Sequence, residues 1–416
     1  MQLVHKSEVK PQPPAPPKRM PDPYRVLFPI GIAAALAGLL PWVMFAASQA
    51  PWWPAPMLPL WPGPEHAALM VQGFELAFIA GFLLTAMPAF THGPRCTPQE
   101  LFVMSTLVAA FVVLRALALP AAAYAYLAAL LALAFTVARR VRPGAAAPPE
   151  EFLLVGTGMA LGLAGAVVQA LVAAGVLPLM AERAGVRCVS LGMLPALVLG
   201  LGGLLVPTFT MMKNPLEIIG VARAGDRPRR RAFVITIALL LVAAVNAEFA
   251  GFSGAAAWAR AVAAIASTQL AWKVWRLPGR RDRLSWSIWT AGWCVALGFT
   301  AAALFPIHRI EAWHVAFVGG YALLTLGIGT RVVVSHGGHA MSEERVVLGT
   351  AALVCLALAT LVRAFGPPFD PGHATLQHML AAAFASAAFV AWLGAAWPRI
   401  RRTRTAMLMP GPAPPR

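Results

Sequence analysis

Apolar residues run along this chain in long blocks, separated by short segments that collect the prolines and the positive charges. A bilayer core about 30 Å thick needs about 20 mostly apolar residues at 1.5 Å rise. Twelve stretches meet or approach that length: 26–47, 66–90, 100–118, 121–138, 152–176, 188–212, 232–249, 253–275, 285–306, 313–335, 346–365 and 375–397. Lipid offers no partner to an unpaired backbone amide, so blocks of this kind predict helices. The pattern therefore predicts an all-α, polytopic integral membrane protein of about twelve transmembrane helices. Stretches three and four are divided only by Leu119-Pro120, a tight hairpin.

The polar segments set the orientation. Of 33 Lys and Arg residues, 27 fall in the two tails and in alternate loops if both termini are cytoplasmic. Arg115, Arg183, Arg187, Arg309 and Arg363 fall on the other side, and Arg260 lies within a stretch. Cytoplasmic loops accumulate Lys and Arg, and a wrong helix count would mix the two sides. The formal net charge of +17 thus reads as topology, which leaves no case for nucleic-acid binding. Composition agrees: 59% of the 416 residues are hydrophobic and 12% are charged, half the charge a water-exposed surface carries. Residues 1–25 and 399–416 are Pro-rich basic tails flanking a domain over 26–398. The first tail has no apolar core and so no cleavable signal. The loop Pro51–Glu65 carries three tryptophans and no basic residue, which suits a cap in the headgroup zone.

With the stretches threaded, the histidines sort by level. His66, His314 and His378 begin three helices that run inward from the non-cytoplasmic face, and His308 and His373 sit in the adjoining loops. His5, His92, His336 and His339 belong to the cytoplasmic side. Imidazole is the commonest metal ligand, and helix-borne histidines facing a bundle interior hold haem iron or copper. The same placement suits imidazoles that hydrogen-bond headgroups or loop carbonyls, and spacing alone leaves both readings open.

Two ionisable residues are expected deep in the bilayer. Glu75, nine residues after His66, lies roughly 13 Å along its helix, and Arg260 enters its own helix to a similar depth. Each alone is an uncompensated charge, so a buried Glu75–Arg260 pair is expected, serving as a brace or a proton relay. Four cysteines far apart in sequence indicate neither a disulfide framework nor a thiolate metal site. Glycines recur within the spans and allow close helix approach. No repeat links the two six-helix halves.

The runs HAALMVQGFELAFIAGFLLTAMPAFT (66–91), GGLLVPTFT (202–210), WHVAFVGGYALLTLGIGTRVVVSHGGH (313–339) and AAFASAAFVAWLGAAWPRIRR (382–402) resemble the NnrS family. Trp313-His314, Thr330-Arg331 and His336-Gly337 are its most specific parts. The resemblance implies a bacterial inner-membrane protein containing haem and copper, associated with denitrification and tolerance of nitric oxide. It implies that His66, His314 and His336 occupy family histidine positions, with Arg331 beside the last. Two positions depart from the family: Ala68 and Leu69 stand where helix 2 often continues H-x-H-E, and Leu204 stands where an arginine often precedes V/I-P-x-F-T.

The expectation is therefore a membrane protein that binds haem, and copper with it, through His66, His314 and His378, and meets a diatomic ligand such as nitric oxide. Any electron donor is a separate protein, because no CxxCH or iron–sulfur spacing occurs. The alternative is a secondary transporter of a small solute coupled through Glu75–Arg260.

Overall fold

The computed structural model describes residues 22–48, 62–91, 93–140, 148–211 and 227–402. The outermost tails, His5, His92, Met212 and most of the Pro51–Glu65 loop lie outside these residues. No strand occurs among the described residues. The helical rods follow the apolar stretches in order. Helix α1 is Tyr24–Ser48, and α2 joins Gly63–Ala68, Leu69–Glu75 and Leu76–Thr91. Then come α3 (Pro98–Ala116), α4 (Ala122–Ala138) and α5 (Phe152–Ala173). Helix α6 joins Met180–Cys188, Val189–Met193 and Leu194–Phe209. Helix α7 is Arg227–Phe249, and α8 joins Ser253–Ala266 and Ser267–Ala271. After α9 (Arg283–Leu304), α10 joins Arg309–His314, Val315–Ala322 and Leu323–His336. Thr350–Phe369 is α11 and Ala374–Arg401 is α12. Ten of these rods are long and apolar enough to cross a membrane; α4, with 17 residues, is shorter, and α8 is not among the ten.

Helices α3 and α4 form the expected hairpin, with Ala118 at φ 53° and Leu119 N–H returning to the Leu114 carbonyl. Helices α1 and α12 pack together, and the Arg25 guanidinium donates to the Ile400 carbonyl, so both described ends of the chain share one face. The histidines that begin α2 and α10 lie at the opposite face.

The packing repeats three times. Helices α1–α4, α5–α8 and α9–α12 are equivalent units: the first helix packs on the second, the third on the fourth, and the fourth on the first helix of the next unit, with α12 closing on α1. The second helices, α2, α6 and α10, are the most buried rods of their units and carry the same design, a short α start, a π-helical segment, then α again. A glycine in each π segment recurs eight residues later: Gly73 and Gly81, Gly192 and Gly200, Gly319 and Gly327. The first glycine of each pair touches the first and third helices of its own unit. A Cβ there would meet Ala34 at 2.9 Å and Val112 at 3.5 Å for Gly73, Val245 at 2.9 Å and Leu161 at 3.3 Å for Gly192, and Cys294 and Thr360 at 3.0 Å for Gly319. Pro88-Ala89-Phe90-Thr91 recurs as Pro207-Thr208-Phe209-Thr210 at the spacing of the first two glycine pairs. The repeat is thus in thirds rather than halves, which a comparison of halves does not detect.

An ion pair at the histidine face marks each unit, between the start of the second helix and the end of the third: Glu65–Arg115, Arg187–Glu248 (3.0 Å) and Glu311–Arg363 (3.4 Å). The middle unit reverses the signs and adds Arg260, whose Nη1 donates to Glu248 at 2.8 Å while its Nε donates to the Leu191 carbonyl. The expected Glu75–Arg260 pair is therefore not formed. Depth was matched but direction was not: α8 packs on α6, α7 and α9, and Arg260 turns to the carboxylate at the end of α7.

Two stability measurements follow. Gly202→Ala should lower the thermal unfolding temperature of the detergent-purified chain, at a cost of about 1–3 kcal/mol, because the new Cβ would lie 2.1 Å from the Trp272 indole. Gly156→Ala, with nothing within 4 Å, should be tolerated. Equal melting of the two variants would contradict the packing. Arg260→Met should destabilise the chain, by at most about 3–5 kcal/mol, because the Glu248 carboxylate is left with the half-exposed Arg187 alone, and adding Glu248→Leu should restore much of the loss. An Arg260→Met chain as stable as the parent would contradict the pair.

Candidate functional site

Helix α2 starts at Pro62-Gly63-Pro64, where proline suits the first turn because its missing N–H has no helical partner in any case. This start puts His66 against α1, and its Nδ1 lies 3.1 Å from the Gly38 carbonyl. Gly38 is the close-approach point, since a Cβ there would stand 3.1 Å from the Leu69 Cβ. Helix α10 starts similarly, after a 3₁₀ turn at Pro306–His308, and His314 is the last residue before its π segment. The His314 ring folds back on its own helix, Nδ1 lying 2.7 Å from the Ile310 carbonyl.

These two contacts fix the chemistry of both rings. A carbonyl oxygen only accepts, so each Nδ1 carries the hydrogen and donates it, and each Nε2 keeps its lone pair. Donation from the distal ring nitrogen to a backbone carbonyl is the usual way a ligating imidazole is oriented. The His66 and His314 ring planes lie within 7° of parallel with centroids 6.4 Å apart. Two imidazoles with unprotonated Nε2 atoms and centroids 6.4 Å apart could together hold one haem iron or copper ion.

His378 joins the cluster from α12 through Trp42, whose ring is 5.0 Å from it and 6.1 Å from His66. The Arg363 guanidinium is within electrostatic reach of all three imidazoles. Among the described residues no set of three or more His, Cys, Asp or Glu side chains surrounds one point as metal ligands. The geometry is a facing pair with a neighbour, rather than a closed triad. His308 is exposed beyond it, and His373 holds Asp370 at 2.8 Å.

His336 and Arg331 are not brought to this cluster. They end α10, and His336 is 22 residues beyond His314, about 33 Å along the rod. His336 lies 6.4 Å from the Tyr24 ring. Arg331 Nε is 2.7 Å from Glu344, and its guanidinium lies over the Phe209 ring at 5.2 Å. Burial pushes the Glu344 carboxyl above its ordinary value, while Arg331 and Arg280 pull it back down. The four cysteines are unpaired, and burial, helped by the Glu100 carboxylate, pushes the Cys96 thiol up to about 11, so it supplies no thiolate at neutral pH.

Glu75 is buried where α2 meets α10 and accepts a hydrogen bond from the Thr325 hydroxyl at 2.9 Å. Beside it, a cavity of about 50 Å³ lies between the three central rods, walled by Phe78, Leu197, Leu201, Leu324, Thr325 and Glu75 itself. Sequence reasoning did not find Trp42, Gly38, Glu248 or Thr325. Glu248 alone had a readable signal, an acidic residue closing an apolar stretch; the others are ordinary membrane residues until the helices are assembled.

No curated protein matches the chain. A family model does, described as NnrS protein, and it spans residues 20–404. Every described rod, both histidine-bearing starts included, falls within that match, and the chain belongs to the NnrS family.

Proposed function

We propose that this chain binds haem, copper or both through His66 and His314, with His378 beside them, and serves in the response to nitric oxide. The observation that carries the reading is the close, near-parallel pair of imidazoles, each anchored through Nδ1 so that its Nε2 keeps its lone pair for a metal. Membership of the NnrS family adds the expectation of haem, copper and nitric oxide chemistry.

Haem iron or copper bound there would supply a metal centre able to take up a neutral diatomic ligand. The chain's own part is to hold and to orient. Gly38 and Ile310 fix the ring tautomers through their carbonyls. Trp42 packs between His66 and His378 and keeps that side apolar. Glu311 balances the charge of Arg363 beside the rings. Nitric oxide is small and uncharged and partitions into lipid, so a site at the rim of the bundle is reached from the bilayer itself.

The topology that completes this reading is twelve crossings in the bacterial inner membrane with both termini in the cytoplasm. It is supported by the Lys and Arg distribution and by the shared face of α1 and α12. The transporter reading has lost its coupling pair, because Arg260 is held by Glu248 rather than by Glu75. A separate protein would donate any electrons.

The test is the visible spectrum and metal content of the detergent-purified chain with and without nitric oxide. A haem Soret band that shifts with the gas, or bound copper, is expected. His66→Ala and His314→Ala should each abolish the bound metal or the shift. His378→Ala should weaken binding about 10–100-fold, as loss of a supporting partner does. His336→Ala should leave the spectrum unchanged. A colourless, metal-free preparation would overturn the proposal.

A further inference from the structure

Residues 272–282 join α8 to α9 at the face that holds both described ends of the chain. The Gly279 N–H donates to the Thr210 carbonyl at the end of α6, beside the end of α10, and His339 just beyond α10 lies 3.2 Å from the Arg399 carbonyl of α12. One apolar stretch ends where this connector begins and the next starts where it ends, which places it in the headgroup zone. Its backbone is pinned. The Trp289 indole N–H is shared between the Val274 and Arg276 carbonyls (2.7 and 2.9 Å), and the Trp293 N–H also donates to Val274 at 3.1 Å. Buried Trp272 holds the other side through its N–H on the Leu199 carbonyl. Lys273 sits at φ 58°, a left-handed conformation that side-chain-bearing residues rarely adopt.

The pinned turn displays charge and apolar surface together. Lys273 and Arg276 close it, the Arg276 N–H donating to the Lys273 carbonyl at 2.9 Å, with Trp275 between them. Trp275 is 57% exposed, and Leu270 and Leu277 to either side are 65% and 60% exposed. The Arg276 guanidinium lies over the Trp275 ring, 4.4 Å from its centroid, so its flat face is covered while its in-plane N–H donors remain for another partner. The nearby carboxylates are engaged: Asp282 caps α9 through the Ser285 N–H, and Asp282 and Glu344 both meet Arg280. Lys273 and Arg276 pair with no acidic side chain among the described residues, and exposed Arg281 adds a third unpaired cation beside them.

We propose that this turn docks one phospholipid of net negative charge. Its phosphate oxygens accept from the Lys273 ammonium and the Arg276 guanidinium, and an acyl chain lies along Trp275 and Leu270. The two parts of the surface select the occupant together. A soluble anion gains nothing from an exposed indole and leucine, and a zwitterionic lipid brings a cation of its own against two unpaired positive charges. Basic rims attract anionic lipid diffusely. Here the backbone is fixed beforehand by three indole hydrogen bonds, so little ordering cost is left to binding. No histidine takes part, and the site is independent of the metal reading.

Native mass spectrometry of the full-length chain in detergent, titrated with phosphatidylglycerol, phosphatidylcholine or inorganic phosphate, tests the site. One phosphatidylglycerol should be retained in preference to phosphatidylcholine, and excess inorganic phosphate should not displace it. Lys273→Gln and Arg276→Gln should each weaken retention about fivefold, as loss of one cation at an anionic surface does, and the double variant about 25-fold. Arg229→Gln, which removes one charge from the exposed start of α7, should leave retention unchanged. A second measurement decides if these variants do not fold. Phosphatidylglycerol brominated on its acyl chains should quench the tryptophan fluorescence of the parent chain more than that of Trp275→Phe. Equal retention of the two lipids, displacement by phosphate, an equal loss in Arg229→Gln, or quenching unaltered by Trp275→Phe would overturn the docking site.

Discussion

The close contact of three glycine-notched rods is the constraint on which the rest depends. In lipid there is no hydrophobic force between apolar helices, so association depends on van der Waals fit, and small residues permit it. Gly73, Gly192 and Gly319 each let two neighbouring helices of their unit close on a central rod, and Gly81, Gly200 and Gly327, two turns on, admit the first helix of the unit again. With α2, α6 and α10 fixed, the starts of α2 and α10 become neighbours at one face. His66 and His314, 248 positions apart, then face each other.

The scaffold is three-fold but the site is not. Each unit places a charged pair between its second and third helices, yet only the first and last units carry a histidine at the start of the second. At the same level the middle unit has Gly185 and Arg187, and Arg187 is spent on Glu248 with Arg260. One facing imidazole pair results, lodged between the first and third units. The π segments matter here as well. An extra residue per turn rotates everything beyond it, and π insertions in helices often accompany functional sites. Both histidines sit just ahead of one, so the helix start that bears the ring is set apart from the rod that bears the packing glycines.

Much of this was legible in the chain. The apolar blocks located the rods, including the Leu119-Pro120 hairpin, because the bilayer imposes length and composition together. The histidine level followed from counting loops, and the runs around His66, Pro207 and Trp313 pointed to the family. Partner choice was not legible. Glu75 and Arg260 share a depth, but depth is one coordinate of three, and only assembly shows that α8 packs on α6, α7 and α9 and turns Arg260 to Glu248. Arg331 and His336 belong to a family-specific run with His314, yet one long rod carries them to opposite faces. The repeat in thirds was hidden for a similar reason. Its signature is six glycines and two Pro-x-Phe-Thr turns in otherwise interchangeable apolar sequence.

X-ray absorption at the iron or copper edge of the purified chain reads the central arrangement most directly. Two imidazole nitrogens at about 2.0 Å from one ion, with the metal or that coordination lost on removal of either His66 or His314, is the result the proposed site predicts. A coordination shell with no imidazole scattering, or one unaltered when both rings are gone, would contradict it.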